Sequence, residues 1–432
     1  MAKSSSNKSP SIITAAQHGI DESLICPHAK KIVSTLVDKG YQAYLVGGCV
    51  RDLLLGIKPK DFDVATNAHP QHICRLLSNS RIIGRRFQIV HVYHKREFTE
   101  VSTFRALINS STNKHSTKYT DDRIVRDNTF GTIDEDAERR DFSVNALYYD
   151  LQNSTVLDFC NGMQDIAAKR LHMIGDPALR YKEDPVRMLR ALRFRAKLGF
   201  TIDEKTAQPI NELGHLLLEV SKPRLFDEVI KLFHSGSAQN AFTELEQYQL
   251  LPKLFPLTMS EIEGDENFQK LIELALENTD VRINQGKSVN PAFIFAVLLW
   301  KPYLKTRERY CRDGVPRFES MWEAGRATVM DQSSITMITK RFLVTICEIW
   351  KLQDRLPKAR GKKVFQMLQT PKFRASYDFL CLRAKAGEID SAEADWWTTI
   401  QEVSEKEQLA LISQRTKLFN KHTKRKHSKS DA

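Results

Sequence analysis

The spacing of apolar residues changes character partway along the chain. His28–Asp38 carries its apolar side chains at helical spacing, and Gly40 stands where that helix would stop. Short apolar runs at Gln42–Val46, Phe62–Thr66, Gln88–His94 and Phe98–Phe104 each read as a strand. Residues 106–128 are rich in Ser, Thr, Asn and Asp, which predicts a mobile loop. Beyond Asp141 the pattern is mostly helical and stays so. The expectation is an α+β chain: a head on a mixed sheet of about five strands with helices on one side, then an all-helical neck, body and tail. The divisions that follow are a disordered N-terminus at 1–22, a head at 23–160, a neck at 161–235, a body at 236–405 and a basic tail at 406–432.

Length and charge narrow the class. The 432 residues are too many for one ordinary domain, and 41% hydrophobic residues suffice for real cores. The formal net charge of +12 favours a polyanionic partner, because Lys and Arg release counterions condensed on nucleic acid. The last residues, Ser413–Ala432, end in KHTKRKHSKSDA and read equally as a flexible RNA-binding arm or as a solvated end. The seven cysteines are scattered and never spaced as Cys-x-x-Cys, so neither a disulfide framework nor a zinc ribbon is expected. No apolar run is long enough for a signal peptide or a membrane span. A cytoplasmic monomer with no membrane contact is the expectation.

The candidate chemistry lies in LVGGCVRDLLLGIKPKDFDVAT, Leu45 to Thr66. Asp61 and Asp63 are two apart, and on a strand such residues share a face. Two carboxylates held side by side repel unless a cation lies between them, which suggests hard oxygen ligands for Mg²⁺ or Mn²⁺. A lone Asp-x-Asp is more often a solvated turn. Here it follows Gly47 and Gly48, which let the backbone approach a phosphate, and Arg51, which could grip one. Glu100 is an acid within an otherwise apolar or hydroxylic strand, FTEVSTF. It reads either as an edge-strand residue facing water or as the third ligand of a two-metal site.

The Gly47-Gly48-x-Val50-Arg51-Asp52 run followed by Asp61-x-Asp63 resembles the signature of class II nucleotidyltransferases, the bacterial poly(A) polymerases and CCA-adding enzymes. The resemblance continues through RRDFSVNALYY, from Arg139, and through EDPVRMLRALRF, from Glu183. It implies a nucleotidyltransferase head and ATP as substrate. It also implies that Arg140 touches the triphosphate or ribose, that Asp141 organises the site as a catalytic residue beside Asp61 and Asp63, and that Asn145 faces the sugar. Arg139 to Asp141 is expected at the start of a helix. Glu183 to Arg193 is expected on one helix, with Asp184 and Arg187 on a shared face and Arg190 also toward the nucleotide. An Asp/Arg pair can imitate a pairing base, accepting from an exocyclic amino group and donating to the adjacent ring nitrogen. Such a pair accepts adenine or cytosine and rejects guanine and uracil. The bland alternative is an ion pair within the helix.

Two stretches lean toward the poly(A) polymerase branch: Ile82 to Val92 (IIGRRFQIVHV), and a C-terminal region with Pro316 to Phe318, Pro371 to Glu388 and the pair Trp396-Trp397. The implied reaction is untemplated addition of AMP from ATP to RNA 3′ ends, with Asp61, Asp63 and Glu100 holding two Mg²⁺ ions. The competing readings are a CCA-adding enzyme and a non-catalytic RNA-binding protein.

Overall fold

The computed structural model describes residues 9–84, 88–95, 97–106, 117–120, 123–127 and 129–430. The chain divides into two compact units, Met1–Leu216 and Leu217–Ala432.

The first unit is built on an eight-stranded mixed sheet, ordered β1-β10-β9-β2-β3-β6-β5-β4. Its strands are β1 Ser11–Thr14, β2 Ala43–Val46, β3 Asp63–Thr66, β4 Ser80–Ile83, β5 Ile89–His94, β6 Glu97–Thr103, β9 Leu147–Asp150 and β10 Thr155–Asp158. Neighbours are antiparallel except β3 and β6, which run parallel. The expected sheet of about five strands is therefore too small. Two of the additions, β9 and β10, lie past Asp141 in the stretch that reads as helical. The other two are β4, which no expected strand covers, and β1, which comes from the segment expected to be disordered. Ser11-Ile12-Ile13-Thr14 is short, but β10 gives its backbone a partner from Ser11↔Asp158 to Thr14↔Thr155, and the short helix α1 Ala15–His18 follows it.

Alternation sorts side chains to the two faces of the sheet. On one face Leu45, Val64, Val90, Val92, Val101 and Tyr149 pack with residues of α2 Pro27–Asp38, α3 Gly48–Leu54 and α4 Pro70–Leu76. On the other, Val46, Ala65 and Tyr148 form a smaller cluster with Phe104, Phe159 and Ala137 of α5 Ile133–Glu138. Helices therefore do not all lie on one side. A separate antiparallel hairpin joins β7 Thr117–Thr120 to β8 Arg123–Asp127 within the stretch expected to be a loop, and residues 107–116 lie outside the described residues. So do Arg85, Arg86 and Phe87 of the branch-marking segment.

Helices α6 Gly162–Ala167, α7 Pro177–Glu183 and α8 Val186–Leu198 follow the sheet, with a small parallel ladder between Arg170–Leu171 and Thr201–Ile202. The neck is thus not purely helical. The second unit is helical from Lys222–Phe233 onward. Its cores include Tyr303 stacked on Trp350 at 4.3 Å, and a cluster around Phe373, Leu380, Trp397 and Ile400. Arg415 lies over the Trp396 ring at 4.0 Å and pairs with Glu393 at 2.6 Å. The stretch expected as a flexible tail continues as the helix Glu405–Ser430.

Candidate active site

One row of residues crosses the middle of the sheet. Val46 on β2 pairs with Asp63 on β3, Asp63 with Glu100 on β6, and Glu100 with His91 on β5. Because β3 and β6 are parallel and in register, Asp63 and Glu100 emerge on the same face, one strand spacing of about 4.8 Å apart. β6 lies between β3 and β5, so the edge-strand explanation of Glu100 does not apply. Asp61 sits in the bend before β3 rather than on the strand. Burial lifts the Asp63 carboxyl to about 6, and the neighbouring Glu100 and Asp61 charges add to the rise while Arg140 opposes it. His91 Nε2 is 3.5 Å from Glu100 Oε1.

Among the described residues, no group of three or more His, Cys, Asp or Glu side chains is gathered tightly enough to hold a metal ion as it stands. The three carboxylates nevertheless share one electrostatic neighbourhood, since Asp63 feels both of the others. Their oxygen donors and mutual repulsion fit a hard divalent cation, which would relieve the repulsion.

The turn from β2 into α3 frames this row. Gly47 has φ +80° and ψ −135°, in the region that glycine alone enters easily. A Cβ added there would lie 3.4 Å from Arg140 Nη1, so the bare backbone and the guanidinium sit side by side. Arg51 behaves differently from expectation. It is 3% exposed, its Nε donates to Asp52 Oδ1 at 2.9 Å and its Nη1 donates to Asn145 Oδ1 at 2.6 Å. It is an internal strut rather than a guanidinium open to a phosphate. Cys49 is buried, and burial pushes its thiol up to about 12, so it is no nucleophile.

Arg139, Arg140 and Asp141 end a helix instead of starting one. Arg139 caps α5, and a 3₁₀ turn at Ser143–Asn145 follows. Arg140 donates from Nη2 to Asp136 Oδ2 at 3.1 Å and from Nε to the Tyr148 hydroxyl at 3.1 Å, and that hydroxyl donates to Asp136 at 2.7 Å. Burial pulls the Arg140 pKa down, but Tyr148 and Asp136 outweigh it and the net shift is upward, so the cation is permanent. Asp141 is held by Arg190 Nε at 2.6 Å, the Phe142 amide at 2.9 Å and Asn145 Nδ2 at 3.3 Å. Burial raises its pKa, but Arg190 and these donors hold it down at about 2. One hydrogen-bonded line, Arg51–Asn145–Asp141–Arg190, therefore ties together all three motifs seen in the sequence.

Glu183 to Arg193 is not one helix. Asp184 is extended, with φ −149° and ψ 90°, and separates α7 from α8, whose N-cap is Pro185. A residue before proline is pushed out of the helical region by the proline ring, which explains the break. Arg187 Nη1 donates to the Arg180 carbonyl at 2.8 Å and to Glu183 Oε2 at 2.9 Å, so this part of its ion pairing is with Glu183 and not with Asp184. Arg180 itself donates from Nη2 to the carbonyls of Arg139 and Arg140, at 2.5 and 2.7 Å. Burial, and then the nearby Arg187, lower its pKa to about 10.

Four contributors escaped sequence reasoning: Asp136, Tyr148, Arg180 and Phe194. The Phe194 ring has the guanidinium carbons of Arg193, Arg51 and Arg190 at 4.6, 5.1 and 5.3 Å. Asp136 lies in the acidic first turn of α5, which reads as a helix-dipole residue. Tyr148 and Phe194 read as core by their spacing, and only Arg180 adds a charge whose purpose a sequence leaves open.

Residues 43–172 match the "Poly A polymerase head domain", residues 199–262 the "Probable RNA and SrmB- binding site of polymerase A", and residues 313–431 the "Polymerase A arginine-rich C-terminus". The chain is 40% identical over 410 residues to Poly(A) polymerase I of Escherichia coli, covering 93% of this chain and 88% of that protein. It is 38% identical over 231 residues to the CCA-adding enzyme of Bacillus pumilus, covering 52% of this chain and 55% of that one. Among solved structures, a "tRNA-processing enzyme (apo form 2)" shares the fold with a TM-score of 0.58 at 18% identity, covering 90% of this chain and 99% of that one.

Proposed function

The chain belongs to the poly(A) polymerase family of nucleotidyltransferases, and from that premise we propose that it adds AMP from ATP to RNA 3′ ends without a nucleic-acid template, releasing pyrophosphate. The observation that carries the choice within the family is extent. Likeness to Poly(A) polymerase I runs through 93% of the chain, whereas likeness to the CCA-adding enzyme covers 52%. That second likeness keeps CCA addition as the alternative reading.

Asp61, Asp63 and Glu100 would hold the divalent cations, Mg²⁺ or Mn²⁺. Such ions supply Lewis-acid activation of the RNA hydroxyl and neutralise charge on the triphosphate. We assign the third ligand to Glu100 rather than Asp141, because Asp63 pairs in register with Glu100 while both Asp141 oxygens are already hydrogen-bonded. Gly47 and Gly48 give the triphosphate a close backbone approach. Arg140 is the cation beside that turn and would meet the phosphates, while Arg51 and Asn145 brace the turn from behind. Asp141 and Arg190 lock the second motif to α8. Asp184 and Arg187, on either side of the break before α8, would read the Watson–Crick edge of the base. The RNA 3′-hydroxyl then attacks the α-phosphorus in line and pyrophosphate departs. The substrates in the cell would include mRNA. An enzyme whose seven cysteines are all free fits a reducing compartment, the cytoplasm, where it would act as a monomer.

The experiment is substitution at the carboxylates. Asp63→Asn and Asp61→Asn should each lower ATP-dependent tailing at least about a hundred-fold, on the scale of losing a main electrostatic catalytic group. RNA binding in a gel-shift assay should persist. Near-normal tailing by either variant in Mg²⁺ would remove the two-metal assignment.

A further inference from the structure

The sheet face that carries Asp63 and Glu100 continues past them into a row of aromatic rings that the mechanism above does not use. On β6, Phe98, Glu100 and Ser102 share this side, while Thr99, Val101 and Thr103 are buried on the other. Register sets Tyr93 opposite Phe98 and His91 opposite Glu100, and Arg81 on β4 opposite His91. The His91 and Phe98 rings are stacked, with centroids 4.1 Å apart and planes at 10°. Tyr93 lies tilted beside Phe98 at 6.0 Å. Phe98 is still 47% exposed, and Arg81 is exposed at the far strand.

A ring backed by a second ring and left half open presents a preorganised apolar face to a partner ring. Open aromatic rings with a cation alongside take stacked nucleobases. The position selects which base. Phe98 is two residues along β6 from Glu100, about 7 Å at strand rise. Gly47 and Arg140 lie on the other side of Asp63, toward β2. The Gly47 turn and the aromatic row thus flank Asp63 from opposite sides.

We propose that Phe98, backed by His91 and flanked by Tyr93, is the stacking platform for the last one or two bases of the RNA, holding the 3′-hydroxyl over the Asp63–Glu100 pair. This rests on the reading of the chain as an enzyme that extends RNA. Stacking uses the face of a base and not its edge, so the platform accepts any 3′-terminal base. That suits an enzyme whose product becomes its next substrate.

The test is steady-state tailing by the full chain of a short RNA primer, with Phe98→Ala and Phe98→Trp. Phe98→Ala should raise the primer KM roughly ten-fold, the usual scale for one lost base stack. Its ATP KM and its melting temperature should stay near wild type, and Phe98→Trp should restore the primer KM. A primer with an abasic 3′-terminal nucleotide should erase the difference between wild type and Phe98→Ala. An unchanged primer KM in Phe98→Ala would overturn the proposal. So would an equal loss on normal and abasic primers, or a rise confined to the ATP KM, which would assign the rings to the incoming nucleotide. Wild type serves as the separate control: if it fails to extend any RNA with ATP, the functional reading itself has failed, whatever Phe98 does.

Discussion

Asp63 holds two opposing demands in one side chain. Its carboxyl titrates near 6 in the folded protein against 3.8 for the free group, because it is buried and has Glu100 and Asp61 for neighbours. A carboxyl raised on folding binds its proton more tightly in the native state. Its effect therefore favours the fold at low pH, and that advantage is lost as pH rises through about 4 to 6. In divalent-free buffer, Asp63→Asn should melt a few degrees higher than wild type at about pH 7, and the gap should close by about pH 4. Tailing runs the other way, since only the ionised form attracts cations. Its acid limb should fall below about pH 6 and move lower as Mg²⁺ is raised. A melting temperature for Asp63→Asn below wild type at neutral pH would show that no repulsion is stored there. Asp63 and Glu100 were legible as acids because an acid in a strand pattern stands out, whereas Asp61 sits in the bend before β3. The partners of Arg51 were not legible. Its bond to Asn145 spans 94 positions, and nothing in Val-Arg-Asp distinguishes a buried strut from a phosphate grip.

At the scale of elements, the informative departure is the break between α7 and α8. Periodicity alone carries a helix through Glu183 to Arg193, but Pro185 forces Asp184 out of the helix. The two residues proposed to read the base thus belong to a cap and a first turn. Removing the Arg187 guanidinium leaves the N1 acceptor of adenine without its donor in a partly dry pocket, at a cost of about 1–3 kcal/mol. Arg187→Ala should therefore lower kcat/KM for ATP and CTP, with GTP and UTP unchanged or improved. Because Arg187 also bonds Glu183 and the Arg180 carbonyl, melting should be followed in parallel. An equal drop for all four nucleotides would make Arg187 a structural clasp. The strands β2, β3, β5 and β6 were legible because they are apolar and bounded by turn residues. β1 was not, since its four residues pair with β10 far along the chain, and neither was β9, which forms a local hairpin with β10 inside a stretch that reads as helical.

At the scale of the whole molecule, charge is the property that was plain from the start. The net +12 and the basic C-terminus predict RNA affinity that falls steeply with salt. Lys421 to Lys429 contains five Lys and Arg residues. Each phosphate they neutralise on single-stranded RNA adds roughly 0.7 to the magnitude of the log–log salt slope. Deleting 421–429 should flatten that slope, and an unchanged slope would make the segment a bystander. What charge and fold leave open is the choice between polyadenylation and CCA addition, because the chain is similar to both kinds of enzyme. The most direct measurement supplies ATP alone, with Mg²⁺, to a generic RNA oligonucleotide and to a tRNA ending in CC. Long adenylate tails on the generic RNA are predicted. A single A added only to the tRNA, with the generic RNA untouched, would contradict the account.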